Sequence, residues 1–371
     1  MRRLLYLITS LALLLTPLAA PAAQPVKIGL LLPMTGPAAA YGDMALKGIK
    51  MAQAARPTVL GRPVKLILVD NKSEKVESSN AANRLIQKNQ VAVIIGALSS
   101  SPTLAAAPVA EQAGVPMVSG WATNPLVTQK KKYIFRTCFI DPFQGAVAAR
   151  FAYDTLKARK AAVLIDVSRD YSVGLANFFI KAFTKLGGKV VAKTMYSHGD
   201  QEFSAQLGMI KSRRPDLVYL PGYLPELPLI VRQAREMGLE QPFLGGDAAQ
   251  ADEVIKIGGP AVEGLYLTTH FDEEGVTTPA GKRYAAEYRK KFAKAPDALG
   301  ALGYDAYNVV LDAIARAGSL DPEAVTRALE HTRGFAGVCG VMDIVEHNAV
   351  KPAVILTIKK GRFKYVTTVK P

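Results

Sequence analysis

The sequence lacks the short motifs that carry much of enzyme chemistry. Neither G-x-G-x-x-G nor G-x-x-x-x-G-K-[ST] follows a predicted strand, and no G-x-S-x-G turn is present. These absences argue against a glycine-rich phosphate loop and a nucleophile elbow. The four histidines lie far apart, and none has a second histidine or a cysteine at helical spacing. We therefore expect no enzymatic activity, no metal and no cofactor.

Long apolar runs and cysteines are also scarce. Only two cysteines occur, and their spacing matches no zinc pattern. Beyond residue 25 no apolar stretch approaches the roughly 20 residues that span a bilayer. The exception lies at the N-terminus, where Arg2 and Arg3 precede the apolar run Leu4–Leu15 and the small residues Ala20-Pro-Ala22. This order is typical of a cleaved secretory signal, predicted over residues 1–22, so we expect an exported, periplasmic protein.

Acidic residues are fewer than basic ones. The formal net charge is +15, and removal of Arg2 and Arg3 leaves 15 − 2 = +13. The positive residues are dispersed, with one tight run at Lys130-Lys-Lys132, and no aromatic residues alternate with them as a base-stacking surface requires. We therefore expect no nucleic-acid partner.

What is present is an alternation of strand and helix patterns. Short apolar runs, typical of buried parallel strands, occur at Val26–Leu32, Val64–Val69, Val91–Ile95, Ala161–Ile165, Val190–Tyr196, Leu217–Leu220 and Leu265–Thr268. Amphipathic segments separate them at Asp43–Ala55, Glu74–Lys88, Pro102–Ala113, Gln144–Leu156, Ser172–Leu186 and Leu227–Met237. The chain ends in a predicted hairpin over Val354–Lys360 and Phe363–Thr368, which could extend a sheet edge.

The chain is longer than one hydrophobic core usually serves. After residue 23, 371 − 23 = 348 residues remain. The α/β pattern forms two runs, over 26–138 and 139–267, followed by a helix-rich stretch at 279–331 and the terminal strands. No linker rich in Gly, Ser or Pro separates them. The sequence predicts an α/β fold of two doubly wound parallel-sheet lobes, with the chain crossing between them more than once.

Polar segments follow several of the predicted strands. Ser99–Thr103 follows one strand, with Ser100 or Ser101 expected to cap a helix that has Pro102 in its first turn. A helix N-terminus of this kind can bind a carboxylate. Asp247 follows another strand after two glycines. Because ligands bind at the carboxyl ends of such strands, hydroxyls on one side and an acid on the other would suit a zwitterion.

An ordered set of segments resembles the leucine/isoleucine/valine-binding family of periplasmic receptors, the amino-acid branch of the type I solute-binding fold. The segments span almost the whole mature chain and include Val26–Pro37, Ala40–Asp43, Ile94–Ser101, Ala122–Pro125, Phe135–Thr137, Tyr171 with Gly174–Ala176, Gly222–Glu226, Arg232–Arg235 and Gly238-Leu239. The resemblance implies an extracytoplasmic solute-binding component of an ABC importer, which binds an amino-acid-like ligand by hinge closure. It also implies a membrane permease as partner, and we expect a monomer.

The resemblance places the ligand carboxylate on Ser100 and Thr123, with main-chain amides near Leu98 and Trp121. Trp121 stands where relatives often carry a small residue, so it could shrink the pocket or stack on a flat side chain.

The resemblance places the remaining ligand contacts around the cleft. Tyr171 and Tyr223 match aromatic residues that close over the ligand from the second lobe, and Tyr41 matches a wall residue of the first. Asp247 stands where the family has a glutamate for the ligand ammonium, and Tyr304 matches a position near the side-chain pocket. Because Asp247 is one methylene shorter, its reach or the ligand must differ. An aromatic carboxylate, a short amide and a ligand-sensing receptor role therefore stay open as alternatives.

The same resemblance implies a first lobe over 26–138 plus 268–350, and a second over 139–267 plus 351–371. It also brings Cys138 and Cys339 near one crossover, so a disulfide between them is expected, with two buried free thiols as the alternative.

Overall fold

The computed structural model describes residues 24–371. The predicted signal over residues 1–22 lies outside the described residues. Within 24–371, no helix combines the length and the apolar character that a membrane crossing needs.

The first sheet has six strands in the order β2-β3-β1-β4-β5-β6. Its strands are β1 Val26–Leu32, β2 Thr58–Val59, β3 Arg62–Asp70, β4 Val93–Gly96, β5 Met117–Ser119 and β6 Ile134–Arg136. All neighbours pair in parallel except β2 with β3. Three helices alternate with these strands: α1 Ala39–Ala55, α2 Lys75–Asn83, continued by a π-helical turn at Arg84–Lys88, and α3 Ser100–Gln112. The apolar run of β1 is central and buried because helices cover both faces of the sheet.

The second sheet begins with five parallel strands. They are β7 Lys160–Asp166, β8 Lys189–Tyr196, β9 Leu217–Leu220, β10 Phe243–Gly245 and β11 Tyr266–Thr269. Its helices are α4 Asp141–Arg150, continued by a π-helical turn at Phe151–Thr155, α5 Asp170–Lys185, α6 Ser204–Ser212, α7 Glu226–Glu236 and α8 Asp252–Gly258. In α7 the buried residues Leu227, Ile230, Val231 and Ala234 recur at helical spacing, and this explains how the helix covers the sheet.

The chain then returns to the first sheet before it ends on the second. Helices α9 Pro279–Phe292, α10 Ala298–Ala317 and α11 Pro322–Glu330 precede a small sheet of β12 Phe335–Gly337, β13 Gly340–Val345 and β14 Asn348–Val350. Helix α10 packs along α1. Strands β15 Ala353–Ile358 and β16 Phe363–Val369 then join β11 in antiparallel pairing, giving the order β16-β15-β11-β10-β9-β7-β8.

We use "first lobe" for the six-stranded sheet with α1–α3, α9–α11 and β12–β14, and "second lobe" for the seven-stranded sheet with α4–α8. The chain passes between these sheets three times, after β6, β11 and β14. Strand β11 continues to Thr269, two residues beyond the predicted boundary at 267/268, and Thr268 pairs with Ile355. The predicted lobe bounds stay a prediction.

The expected disulfide is not formed. Cys138 and Cys339 are both buried free thiols. The Sγ of Cys138 instead contacts the carbonyl of Ala122 at 3.4 Å, while the amide of Cys339 donates to the buried carboxylate of Asp305. Burial raises the pKa of Cys138 to about 12, so this thiol stays protonated.

Candidate ligand-binding site

A cavity lies between the two lobes, with about 400 Å³ of space when the open region at its mouth is included. It is lined by Tyr41, Leu98, Ser99, Trp121, Tyr171, Tyr223, Asp247, Ala248, His270, Ala298, Leu299 and Leu302. Most of these residues follow the carboxyl ends of parallel strands in both sheets. The cleft is therefore formed where open α/β sheets bind ligands.

Asp247 is the acidic residue of the cleft. One carboxylate oxygen, Oδ1, accepts hydrogen bonds from the Tyr171 hydroxyl at 2.8 Å and from Gln144 Nε2 at 2.9 Å. The other, Oδ2, lies 3.3 Å from His270 Nε2. Burial alone would raise the pKa of Asp247, but the hydrogen bond from His270, the charge that His270 carries when protonated, and the hydrogen bonds from Gln144 and Tyr171 outweigh it and hold the pKa below its usual value. Asp247 is therefore ionised, and among residues 24–371 no Lys or Arg pairs with it.

His270 supports Asp247 as a neutral side chain. Its ring is buried and stacks on Phe139 with centroids 3.7 Å apart. Burial lowers its pKa to about 4, more than the nearby carboxylate raises it. We therefore assign the ring proton to Nε2, so that a neutral imidazole donates to Asp247. The negative charge of the cleft is not cancelled by this histidine.

The close approach of Tyr171 to Asp247 depends on a glycine. A Cβ at Gly246 would lie 2.1 Å from the Tyr171 hydroxyl oxygen. Any other residue at this position would displace the tyrosine. The glycine directly before Asp247 thus has a structural reason that the sequence pattern alone did not reveal.

The N-terminus of α3 faces the cavity from the first lobe. Leu98 and Ser99 line the cleft, and Leu98 has a φ of +67°, in the left-handed region that side chains rarely adopt. The expected capping arrangement is wrong by one residue: Ser99 occupies the N-cap position, and its side chain bonds to no backbone amide of the helix. Helix α3 thus directs its unpaired N-terminal amides at this end of the cleft.

Aromatic side chains from both lobes form the walls. Tyr41, on α1, donates its hydroxyl to the carbonyl of Ala248 at 2.9 Å and accepts from the amide of Leu224 at 3.0 Å. The ring of Tyr223 lies 4.8 Å from that of Tyr171 and 6.2 Å from that of Tyr41. Burial raises the pKa of all three tyrosines well above the usual value, so their hydroxyls remain protonated donors.

The remaining wall is apolar. Trp121 is buried, and its indole Nε1 donates to the carbonyl of Leu299 at 3.0 Å. This bond holds the ring against the first turns of α10, which also contribute Ala298 and Leu302 to the cavity. Trp121 therefore reduces the space beside α10 and presents a rigid apolar face to any ligand.

The structure brings most of the predicted site residues together. Six of the nine line the cavity: Tyr41, Leu98, Trp121, Tyr171, Tyr223 and Asp247. The other three do not. Ser100 is buried and accepts from the amide of Asn124 at 3.3 Å, and Thr123 is also buried. Tyr304 packs against Tyr284 with ring centroids 5.1 Å apart, away from the cavity lining.

Two residues that contact Asp247 escaped the sequence analysis. His270 follows β11 directly, so the rule that polar residues after strands form the site could have found it. Gln144 lies on α4, within a predicted amphipathic segment, and no sequence signal separates it from other buried helix residues. Its Nε2 also donates to Thr268 at 2.9 Å, which ties α4 to β11 beneath the site.

Comparison with known proteins gives concordant likenesses over nearly the whole chain. The sequence profile of the family described as periplasmic binding protein matches residues 25–362. A leucine-, isoleucine-, valine-, threonine- and alanine-binding protein of Pseudomonas aeruginosa is 32% identical over 314 residues, covering 83% of each chain.

Two solved structures are similar throughout. A leucine-binding protein from Thermotoga maritima superposes with a TM-score of 0.92 and 49% identity, covering 93% of this chain and 99% of that chain. The substrate-binding protein of a branched-chain amino acid transporter from Streptococcus pneumoniae, in complex with isoleucine, superposes with a TM-score of 0.88 and 30% identity, covering 94% and 100%. These likenesses confirm the predicted α/β fold of two parallel-sheet lobes.

Proposed function

The chain belongs to the leucine/isoleucine/valine-binding family of periplasmic binding proteins, and we propose that it binds a small, branched-chain or related amino acid between its lobes. The family consists of extracytoplasmic solute-binding proteins that serve ABC transporters, and its members are not enzymes.

The observation that carries the proposal is the ionised carboxylate of Asp247 in the cleft. Tyr171, Gln144 and His270 orient this carboxylate, yet none of them supplies a positive charge. A buried charge without a counter-ion is unfavourable, so a ligand ammonium would stabilise it. The free amides of α3, on the other side of the cleft, suit the ligand carboxylate. These two groups together favour a zwitterion.

The apolar wall favours a modest aliphatic side chain. Trp121, Leu299 and Leu302 offer no hydrogen-bond donor to the cavity, since the indole Nε1 is already bonded to Leu299. Burial of an aliphatic group here contributes about 0.8 kcal/mol for each CH2. A small amino acid with a branched side chain therefore suits this wall.

Asp247→Ala provides the test. Charge-assisted hydrogen bonds contribute about 1.5–3 kcal/mol each, so calorimetry should show a loss of about tenfold to a hundredfold in affinity for leucine or isoleucine. Asp154→Ala is the matched control, because Asp154 is exposed in the second lobe and outside the cleft lining. An aromatic acid without an amine should be little affected. Tight binding of such an acid, with no binding of amino acids, would contradict the proposal.

We further propose that the exported protein acts as a monomer alongside a membrane permease and loses residues 1–22. N-terminal sequencing of periplasmic material should find a start near Ala23.

A further inference from the structure

A second cavity adjoins the first across the aromatic wall. It has about 380 Å³ of space, open region included, and is lined by Pro37, Ala38, Tyr41, Ser73, Leu98, Ser99, Arg169, His198, Tyr223 and Leu224. We call it the annex. Tyr41, Leu98, Ser99 and Tyr223 line both cavities, so these four residues form the boundary between them.

The annex contains a cation that the protein does not neutralise. Arg169 precedes α5 and is partly buried, and no Asp or Glu of residues 24–371 forms an ion pair with its guanidinium. The neighbouring carboxylate of Asp170 is paired instead with Lys75 at 3.2 Å. The nearby buried carboxylate of Glu226 accepts from His198 Nδ1 at 2.9 Å and from the amide of Gly199 at 2.8 Å. The donors of Arg169 therefore remain available to the annex.

Two hydroxyls add to these donors. Ser73 is buried, and its Oγ has no hydrogen-bond partner within the described part of the chain. Ser99 also leaves its side chain unbonded to the helix it caps. The Oγ of Ser73 can therefore donate to or accept from a group in the annex. A guanidinium with two hydroxyls suits a carboxylate, which offers about four acceptor sites.

We propose that the annex binds a second carboxylate on an amino-acid ligand, so that the protein accepts dicarboxylic amino acids as well as neutral ones. The inference rests on the proposed function. The ammonium lies at Asp247, the ligand side chain crosses the boundary that the four shared residues form, and the distal carboxylate meets Arg169 and Ser73. Neutral amino acids stay in the first cavity, which Arg169 does not line.

The experiment compares a chain-length series by calorimetry. Glutamate, 2-aminoadipate and 2-aminopimelate are measured against norleucine and leucine, with wild type and Arg169→Gln. At least one dicarboxylate should bind the wild type, and Arg169→Gln should weaken it by about tenfold to a hundredfold, with a far smaller loss for leucine. Arg169→Lys keeps the charge and should recover part of the affinity. Ser73→Ala should weaken the dicarboxylate by about threefold to tenfold.

Arg213→Gln is the matched control, since Arg213 is exposed after α6 and outside both cavities. The annex proposal is overturned if leucine binds but every dicarboxylate is refused, or if Arg169→Gln leaves dicarboxylate affinity unchanged. If no amino acid binds the wild type at all, the proposed function fails, and the annex proposal fails with it. Thermal unfolding of each variant separates lost binding from lost folding.

Discussion

Asp141 is a carboxyl group that the fold buries without an ion pair inside the described residues. It begins α4, is inaccessible to solvent, and neither of its oxygens accepts a hydrogen bond within the described residues. Burial raises its pKa to about 7, and the carboxylate of Asp247 adds to the effect, while Thr123 and Arg136 oppose it. The residue is therefore half-protonated near neutral pH.

This raised pKa predicts a pH-dependent stability. An unfolded Asp loses its proton near pH 3.9, whereas folded Asp141 keeps it until about pH 7. Between these values the unfolded state is the one that has released the proton. Stability therefore falls as pH rises through this window and levels off above it. Asp141→Asn should remove this slope and raise the melting temperature at pH 8, relative to wild type, by several degrees. If the melting temperatures of wild type and Asp141→Asn depended on pH in the same way, the raised pKa of Asp141 would be refuted.

Among single residues, the predicted tyrosines of the wall and Asp247 line the cavity, whereas the predicted hydroxyl residues Ser100 and Thr123 do not. Ser99, Ser100 and Ser101 are equivalent as capping residues in the sequence, and only the observed start of α3 shows which one faces the cleft. His270 was missed because the predicted strand ended one residue before β11 does. Gln144 acts through contacts between α4 and β11, and such tertiary contacts leave no local pattern.

At the scale of elements, α1 and α10 approach so closely that their backbones nearly touch. A Cβ at Gly48 would lie 1.7 Å from the carbonyl oxygen of Gly300. Since α10 carries Leu299 and Leu302 into the cleft, displacement of this helix would also disturb the ligand site. The contact links the packing of the first lobe to the shape of its binding surface.

Gly48→Ala should therefore destabilise the protein by about 3 kcal/mol or more, since overpacking typically costs about 1–3 kcal/mol and here the clash is with backbone. Ligand affinity should also fall. Gly208→Ala is the control: Gly208 lies inside α6, and its nearest contact would be Met237 at 4.0 Å. That change should stabilise by about 0.5–1 kcal/mol. Chemical denaturation measures the free energy of unfolding of both variants. Equal changes for Gly48→Ala and Gly208→Ala would contradict the close packing of α1 against α10.

The elements themselves were largely predictable. Strands β1 and β9 match the predicted bounds to the residue, because each is a continuous apolar run with turn residues beside it. Most helices begin earlier than predicted, whereas α2 begins at Lys75, one residue later than the predicted Glu74. Helix α1 begins at Ala39 rather than Asp43, since its first turn, Ala39–Gly42, carries no charged residue that would mark an amphipathic pattern. The π-helical turn at Arg84–Lys88 was read as ordinary helix, because apolar periodicity does not report hydrogen-bond spacing.

At the scale of the whole molecule, hydrogen bonds join the lobes directly. The start of α5 contacts the first lobe three times: the amide of Asp170 donates to Ser101 at 2.9 Å, its carbonyl accepts from Asn124 at 2.9 Å, and its carboxylate pairs with Lys75. Such bonds exist only while the lobes are together. A ligand that contacts both lobes binds more tightly when the lobes are together than when they are apart. It therefore shifts the equilibrium toward the closed arrangement.

The Tyr41 hydroxyl makes interlobe hydrogen bonds at the lining of the cleft, and Tyr41→Phe tests whether closure contributes to affinity. The change removes one bond to Ala248 and one from Leu224, both in the second lobe, while the ring stays in the first. At about 0.5–1.5 kcal/mol for each bond, calorimetry should show a loss of ligand affinity of about tenfold, with little change in the free energy of unfolding.

Tyr307→Phe is the matched control, since its hydroxyl donates to Arg56 within the first lobe. That variant should lose stability but keep its affinity. Small-angle scattering at limiting ligand should find Tyr41→Phe more open than wild type. Unchanged affinity and scattering would mean that this bridge does not contribute to closure.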